Sequence, residues 1–253
     1  MVAVVAAVVA GVRGDAGAQL TPLELQSSME EAYARVTDYT ARLVRTEPSK
    51  GIKNQPLLLK FRKPNEIYLR WLEPPDKGRE IIWRGGANSG MALAHEGRFP
   101  KNVVTVILAP DHPMILERSL FPLTEIGIGQ LIKHLGENVR RANVRNELRV
   151  SYPSPPRPGT IRVDLATPPQ ARGYFCQRVF LTVDTSLGLP VAVDLFDARG
   201  EAVASYQYSE IAINSGLTDL DFSADNPTYS FSSMTWSPAY HPTADTNQKS
   251  PCE

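Results

Sequence analysis

The stretch FRKPNEIYLRWLEPPDKGREIIW (61–83) contains two strand patterns joined by a turn. Apolar side chains recur at every second position in EIYLRW and again in REIIW, and the intervening EPPDKG supplies the prolines and the glycine of a turn. Residues at alternate positions of a strand point to the same face of a sheet. The stretch therefore predicts two antiparallel strands that share one apolar face.

The same spacing continues on both sides of this stretch. YTARLVRT (39–46) and QPLLLKFRK (55–63) precede it, and GMALAH (90–95) follows it, at the spacing of an antiparallel meander. The opposite face carries charged groups such as Lys60 and Glu80, for which we expect contact with water. One side of the sheet therefore needs cover. Its apolar residues are Tyr39, Leu43, Leu57, Leu59, Phe61, Ile67, Leu69, Trp71, Ile81 and Trp83.

Two longer helices are predicted to provide that cover. The first begins with TPLE, which has a capping residue, a proline and a glutamate at helix-start spacing, and it extends over 21–36. The second begins at Thr124 and carries an apolar stripe at helical spacing over 128–139. Gly127 and Gly129 weaken its first turn, each by ~1 kcal/mol relative to alanine, which favours a segment able to shift.

The second half of the chain completes the fold class. From residue 146 strands such as TIRVDLAT and LPVAVDLFD return, separated by glycine- and proline-containing turns. We predict an α+β fold, an open antiparallel half-barrel of about 10–11 strands with helices covering its concave face. A strongly twisted sheet of this size curls and can leave an interior that side chains do not fill. The apolar residues either line such a cavity or pack as an ordinary core.

Composition and motifs narrow the function classes. The 253 residues contain 27 Lys plus Arg and 27 Asp plus Glu, a balance that excludes a nucleic-acid partner and long-range attraction to an anionic membrane. The sequence lacks nucleophile-elbow and phosphate-loop motifs, and His95-Glu96 and Asp111-His112 lack the partners of a metal or catalytic site. We expect no enzymatic activity, cofactor or metal, and we interpret His134 as a surface residue. Cys176 and Cys252 either form a disulfide or leave Cys176 as a buried, inert thiol.

The start of the chain has the pattern of a processing signal. An apolar run over 2–12 followed by the small-residue pattern of 16–18 is typical of a signal peptide, which we predict over 1–18. The run is too short to span a bilayer. The domain then covers 19–231, and 232–253 form an irregular tail.

The motif-bearing part of the chain resembles the LolA/LolB-like superfamily of periplasmic lipoprotein-sorting proteins. As in the carrier, a basic residue precedes Pro-Asn at a strand start, here Lys63-Pro64-Asn65, and apolar residues follow at alternate positions. The patterns at Leu69–Pro74 and Gly78–Glu80 resemble those of an uncharacterised branch, and the closing DLDFSADNP (219–227) also agrees. The resemblance covers nearly the whole mature chain and implies an open half-barrel whose apolar cavity is lidded by helices.

The resemblance also implies a function. It implies a soluble carrier, exported to the Gram-negative periplasm, that takes acyl chains of lipoproteins or other lipids from an inner-membrane donor to an outer-membrane acceptor. The apolar residues named above would bind the ligand, with Lys63 and Arg79 near the rim. Lys63 stands where the carrier has an arginine that tethers the lid. Sensor members of the superfamily imply an alternative, a regulatory or assembly module that binds a protein partner in the same groove.

Overall fold

The computed structural model describes residues 20–86, 88–238 and 252, so the predicted signal peptide lies outside the described residues. Three α-helices occur in the described part: α1 (Pro22–Ala34), α2 (Pro113–Leu116) and α3 (Ile128–Val144). The strands of the first half are β1 (Asp38–Glu47), β2 (Ile52–Arg62), β3 (Glu66–Trp71), β4 (Glu80–Arg84), β5 (Ala92–His95) and β6 (Thr105–Leu108). Those of the second half are β7 (Arg149–Ser151), β8 (Thr160–Ala166), β9 (Arg178–Asp184), β10 (Leu189–Phe196), β11 (Ala202–Ile213) and β12 (Thr235–Trp236).

All of these strands belong to one sheet, in the order β12-β6-β5-β4-β3-β2-β1-β11-β10-β9-β8-β7. Neighbouring strands are antiparallel, except that β12 pairs with β6 in parallel. The edge strands β12 and β7 do not pair with each other in the described part of the chain, so the sheet is open. The predicted α+β fold with an open antiparallel sheet is confirmed. The sheet has 12 strands rather than 10–11, and β12 lies in the segment that we expected to be irregular.

Strand register arranges the predicted apolar residues in three rows across β1 to β4. The first row is Tyr39, Phe61, Ile67 and Trp83; the second is Ala41, Leu59, Leu69 and Ile81; the third is Leu43, Leu57 and Trp71. Every side chain in these rows is buried. The period-two pattern in the sequence therefore predicts the inner face correctly.

The outer face is less exposed to water than the sequence predicts. Tyr68 and Ile82 on this face form a second apolar cluster with Phe222, which belongs to the segment that follows β11. Glu80, expected in water, is fully buried, where it accepts hydrogen bonds from the Tyr68 hydroxyl at 2.6 Å and from the Ser230 amide at 2.7 Å. The C-terminal segment thus covers the outer face of β3 and β4, because its aromatic residues need burial as much as those of the inner face.

The two longer helices lie against the inner face. α1 begins with the predicted capping box between Thr21 and Glu24. α3 begins at Ile128 rather than at Thr124, because Gly127 has a φ of 117° and residues 123–125 form a separate 3₁₀ turn. Of the apolar stripe predicted for α3, Ile128, Ile132, Leu135 and Val139 are buried, whereas Leu131 is only partly buried.

A disulfide joins Cys176 to Cys252, so the alternative of an inert Cys176 thiol is wrong. Cys176 is 2% exposed and lies just before β9. The bond fastens the extreme C-terminus of the chain to the second half of the sheet.

Candidate functional site

A cavity of about 130 Å³ lies between the inner face of the sheet and the chain that runs from α2 to α3. This volume is far above the roughly 10–15 Å³ that one water molecule requires. Its wall is mainly apolar, with a group of charged side chains toward one end. Among the lining residues are Leu43, Leu57, Leu69, Trp71, Arg79, Ile81, Ala94, Val106, Met114, Leu131, His134 and Phe175.

Row position decides which of the predicted binding residues reach the cavity. All three residues of the third row line the cavity. Arg79 continues that row, because its carbonyl oxygen accepts a hydrogen bond from the Trp71 amide on the neighbouring strand, and it also lines the cavity. From the second row, Leu69 and Ile81 line the cavity, whereas Leu59 is fully buried beneath it. The first row does not line it. Tyr39, Phe61, Ile67 and Trp83 are core residues.

The start of α3 occupies the space above the first row. The Ile128 amide donates a hydrogen bond of 2.9 Å to the Tyr39 hydroxyl, which satisfies one of the free N–H groups at the start of the helix. A Cβ at Gly127 would lie 3.0 Å from that hydroxyl and 3.2 Å from the Phe61 ring. Gly127 therefore permits close contact between chain and sheet, which differs from the loosening role that its helix propensity suggested.

A second glycine brings α3 against α1. A Cβ at Gly129 would lie 2.4 Å from the Tyr33 ring, so only glycine permits this approach of the two helices. Burial raises the pKa of the Tyr33 hydroxyl to about 12. The two glycines thus fix the first turn of α3 in place.

Lys63 binds the end of α1 and does not line the cavity. Its Nζ donates hydrogen bonds to the carbonyl oxygens of Tyr33 at 2.7 Å and Ala34 at 3.4 Å, and it lies 4.3 Å from the centre of the Tyr33 ring. A cation at a helix C-terminus is favourable because the last carbonyls are otherwise unpaired. Partial desolvation lowers the pKa of the ammonium group. Lys63 thus tethers a covering helix to the sheet.

Two buried charges mark the polar end of the cavity. Arg45 and Glu47 form an ion pair at 3.5 Å with side-chain exposures of 8% and 1%. Glu47 also accepts hydrogen bonds of 2.9 Å from the Tyr206 hydroxyl and from the Leu120 amide. Burial lowers the pKa of the Arg45 guanidinium, against the opposing effect of Glu47. The ion pair thus links β1 to the loop that follows α2.

Trp71 lies beside two guanidinium groups at this end. The Cζ atoms of Arg45 and Arg79 are 5.7 Å and 5.3 Å from its ring centre, within the range of cation–π attraction. Arg79 also forms an ion pair with Glu96. The buried Trp71 Nε1 has no hydrogen-bond partner in the described structure. The end of the third row is thus aromatic and rich in charge, whereas the remaining wall is mainly apolar and includes both aliphatic and aromatic side chains.

His134 belongs to the cavity wall, so its interpretation as a surface residue is wrong. Its ring stacks on Phe175 at 4.6 Å with an interplanar angle of 3°. Its Nε2 lies 2.5 Å from a carboxylate oxygen of Glu125, and this hydrogen bond lowers the pKa of Glu125. His134 stands three residues after Leu131 at the border of the apolar stripe, a position that could have indicated its orientation.

Among the described residues, no cluster of three or more His, Cys, Asp or Glu side chains is arranged to hold a metal ion. His112, for which the sequence offers no catalytic partner beyond Asp111, accepts a hydrogen bond from the Met114 amide at the start of α2. In the same described part, no helix is long and apolar enough to cross a membrane.

Fold and cavity together define an open-sheet protein with a helix-covered apolar pocket. The chain belongs to the family described as "Protein of unknown function (DUF1571)", whose model matches residues 36–231. This match covers most of the sheet, α2 and α3. No curated protein matches the chain.

Solved structures show a similar architecture at low sequence identity. A LolA superfamily protein from Nitrosomonas europaea is 13% identical with a TM-score of 0.35, over 82% of this chain and 99% of that one. Lipoprotein LppX from Mycobacterium tuberculosis is 10% identical with a TM-score of 0.44, over 78% of this chain and 97% of that one. The Pseudomonas aeruginosa MucA/MucB complex matches at 10% identity and a TM-score of 0.42, over 80% of this chain and 60% of that one. Similarity at this level identifies no ligand.

Proposed function

We propose that this protein is an exported, non-enzymatic lipid carrier that binds an acyl chain in the cavity above the second and third rows. The main support for this proposal is the cavity itself, a mainly apolar space of about 130 Å³ beneath α3 with charged side chains at one end. Each methylene transferred from water into such a space contributes about 0.8 kcal/mol. The site thus suits a ligand with a long apolar part and one polar end.

The polar end of the ligand would lie near Arg79 and Trp71. Arg79 continues the third row just before β4 begins, and its side chain is only 11% exposed. The unpaired Nε1 of Trp71 is a donor without an acceptor in the same region. A headgroup oxygen is the kind of acceptor that this donor lacks, and the carrier would receive its lipid on the periplasmic side of the inner membrane.

Bound lipid can be tested on the purified chain. Mass spectrometry of an organic extract should show co-purifying acyl species, and a fluorescent fatty acid should bind and be displaced by unlabelled lipid. Absence of both would contradict the proposal. In that case a protein segment would be the remaining occupant of the groove.

A cavity-filling variant tests the site without introducing a charge. Ala94 lines the cavity on β5 between Ile81 and Val106, so Ala94→Trp should take the place of the ligand. Exclusion of two methylenes weakens the affinity for the fatty acid by roughly tenfold or more. Ala202→Trp, on an exposed position of β11, is the matched control and should bind as the unaltered protein does. Equal affinities of the two variants, with unchanged circular dichroism, would show that the ligand binds elsewhere.

A further inference from the structure

The loop between β5 and β6 exposes a large aromatic side chain. Phe99 is 81% exposed at the tip of this loop. The loop contacts the β3–β4 turn, since a Cβ at Gly97 would lie 2.2 Å from the Lys77 carbonyl oxygen. Two loops at the same end of the sheet therefore form one surface, which we call the lip.

The lip is basic although the whole chain is neutral. A shallow depression in it is lined by the cations Lys77, Arg98, Lys101 and Arg118, and by the carboxylates of Asp76 and Glu96. Both carboxylates are already engaged, Asp76 with Arg118 at 3.1 Å and Glu96 with Arg79. Lys77, Arg98 and Lys101 are exposed and form no ion pair within the part of the chain that the structure describes. Three uncompensated cations thus surround Phe99.

The lip borders the cavity. Glu96 and Arg118 line both the lip depression and the cavity. Met114, another cavity residue, is 41% exposed. The polar end of the cavity therefore adjoins the depression that Phe99 helps to line.

We propose that the lip docks on the surface of an anionic lipid bilayer, with Phe99 at the boundary between headgroups and acyl chains. Aromatic side chains favour this boundary, and lysine or arginine near an anionic surface strengthens binding roughly fivefold each. The attraction acts only within about 10 Å at ordinary salt, so the zero net charge of the chain does not oppose it. The inference goes beyond the proposed function, because it names a surface outside the cavity and holds whatever the cavity contains.

Vesicle co-sedimentation of the full chain tests the docking surface. Binding should be stronger to vesicles of phosphatidylcholine mixed with phosphatidylglycerol than to phosphatidylcholine alone, and it should fall as salt is raised. Lys101→Ala should weaken binding to the anionic vesicles roughly fivefold. Arg149→Ala, an exposed cation on β7 at the opposite edge of the sheet, is its control and should have no effect.

Phe99→Ser tests the aromatic contribution. Combined with Lys101→Ala, it should weaken binding to the same vesicles at least tenfold, which is more than Lys101→Ala does alone. Val144 is 83% exposed at the end of α3, so Val144→Ser removes an equally exposed apolar side chain and should leave binding unchanged. Equal binding to both kinds of vesicle, or equal effects of the two serine variants, would overturn the proposal. Ala94→Trp should sediment normally, so a failed cavity and a failed docking surface give different results.

Discussion

Removal of the charge of Glu47 should destabilise the protein strongly. Glu47→Gln preserves the shape of the side chain, and its amide can still accept from the Leu120 amide and donate to the Tyr206 oxygen. The variant loses the compensation of Arg45, whose side chain is 8% exposed, and the acceptor of the Tyr206 hydroxyl proton. An unpaired buried charge costs about 3–5 kcal/mol when its partner is removed. We therefore expect the free energy of unfolding to fall by about that amount.

Urea unfolding followed by circular dichroism measures this loss. With a denaturant dependence of at most about 3 kcal/mol per molar urea, the midpoint should move by roughly 1 M or more. Arg45→Met combined with Glu47→Gln removes both charges and should recover at least half of the loss, because no isolated charge then remains.

The exposed ion pair of Arg199 and Glu201 provides the control. These side chains are 75% and 67% exposed, and exposed pairs contribute about 0–1 kcal/mol. Glu201→Gln should therefore hardly change the midpoint. If Glu47→Gln costs no more than Glu201→Gln, water must reach Arg45, and the burial of this ion pair is not what stabilises it.

Two further predictions concern the cover of the sheet. Cys252→Ser should lower the free energy of unfolding by up to about 4.5 kcal/mol, because the disulfide closes a loop with a sequence separation of 76. Reductant should destabilise the unaltered protein but not the variant. Equal sensitivity of the two proteins to reductant would refute this prediction. Glu125 has a lowered pKa through its hydrogen bond to His134, so its stabilising effect should be complete above its usual pKa of 4.5 and be lost as the pH falls through the lower folded value. The stability difference between the unaltered protein and Glu125→Gln, measured in urea across this range, should therefore shrink at low pH, and a constant difference would contradict the assignment.

Sequence spacing predicts the three rows because the side chains of a strand alternate between faces regardless of what covers them. The sequence spacing could not predict which of these rows would line the cavity and which would be packed in the core. It depends on the point where α3 meets the sheet, which the Tyr39 hydroxyl and Gly127 determine across a sequence separation of 89 between Tyr39 and Ile128. The alternation of apolar and polar residues within one strand does not indicate a contact between residues so far apart in the sequence.

The outer face shows the same limit. Glu80 follows a strand pattern in which it should be solvated, yet it is buried because the Ser230 amide, 150 residues away, supplies a partner. The charge balance of the sequence is likewise a sum over the chain and cannot show that cations collect around one loop. The C-terminal cover, the lip and the wall position of His134 all arise from contacts between distant segments.

The cavity has two unlike ends, and this difference sets a direction for the proposed ligand. At the first row the space is filled by α3, whose start is held by a backbone hydrogen bond to Tyr39 and by glycine contacts that allow no gap. At the third row the wall ends in Arg79 and Glu96, and Glu96 also borders the lip. An acyl chain bound here would place its tail toward the second row and its polar end toward the lip. Exchange with a membrane at the lip would then require no passage of the headgroup through the apolar interior, where its desolvation would be costly.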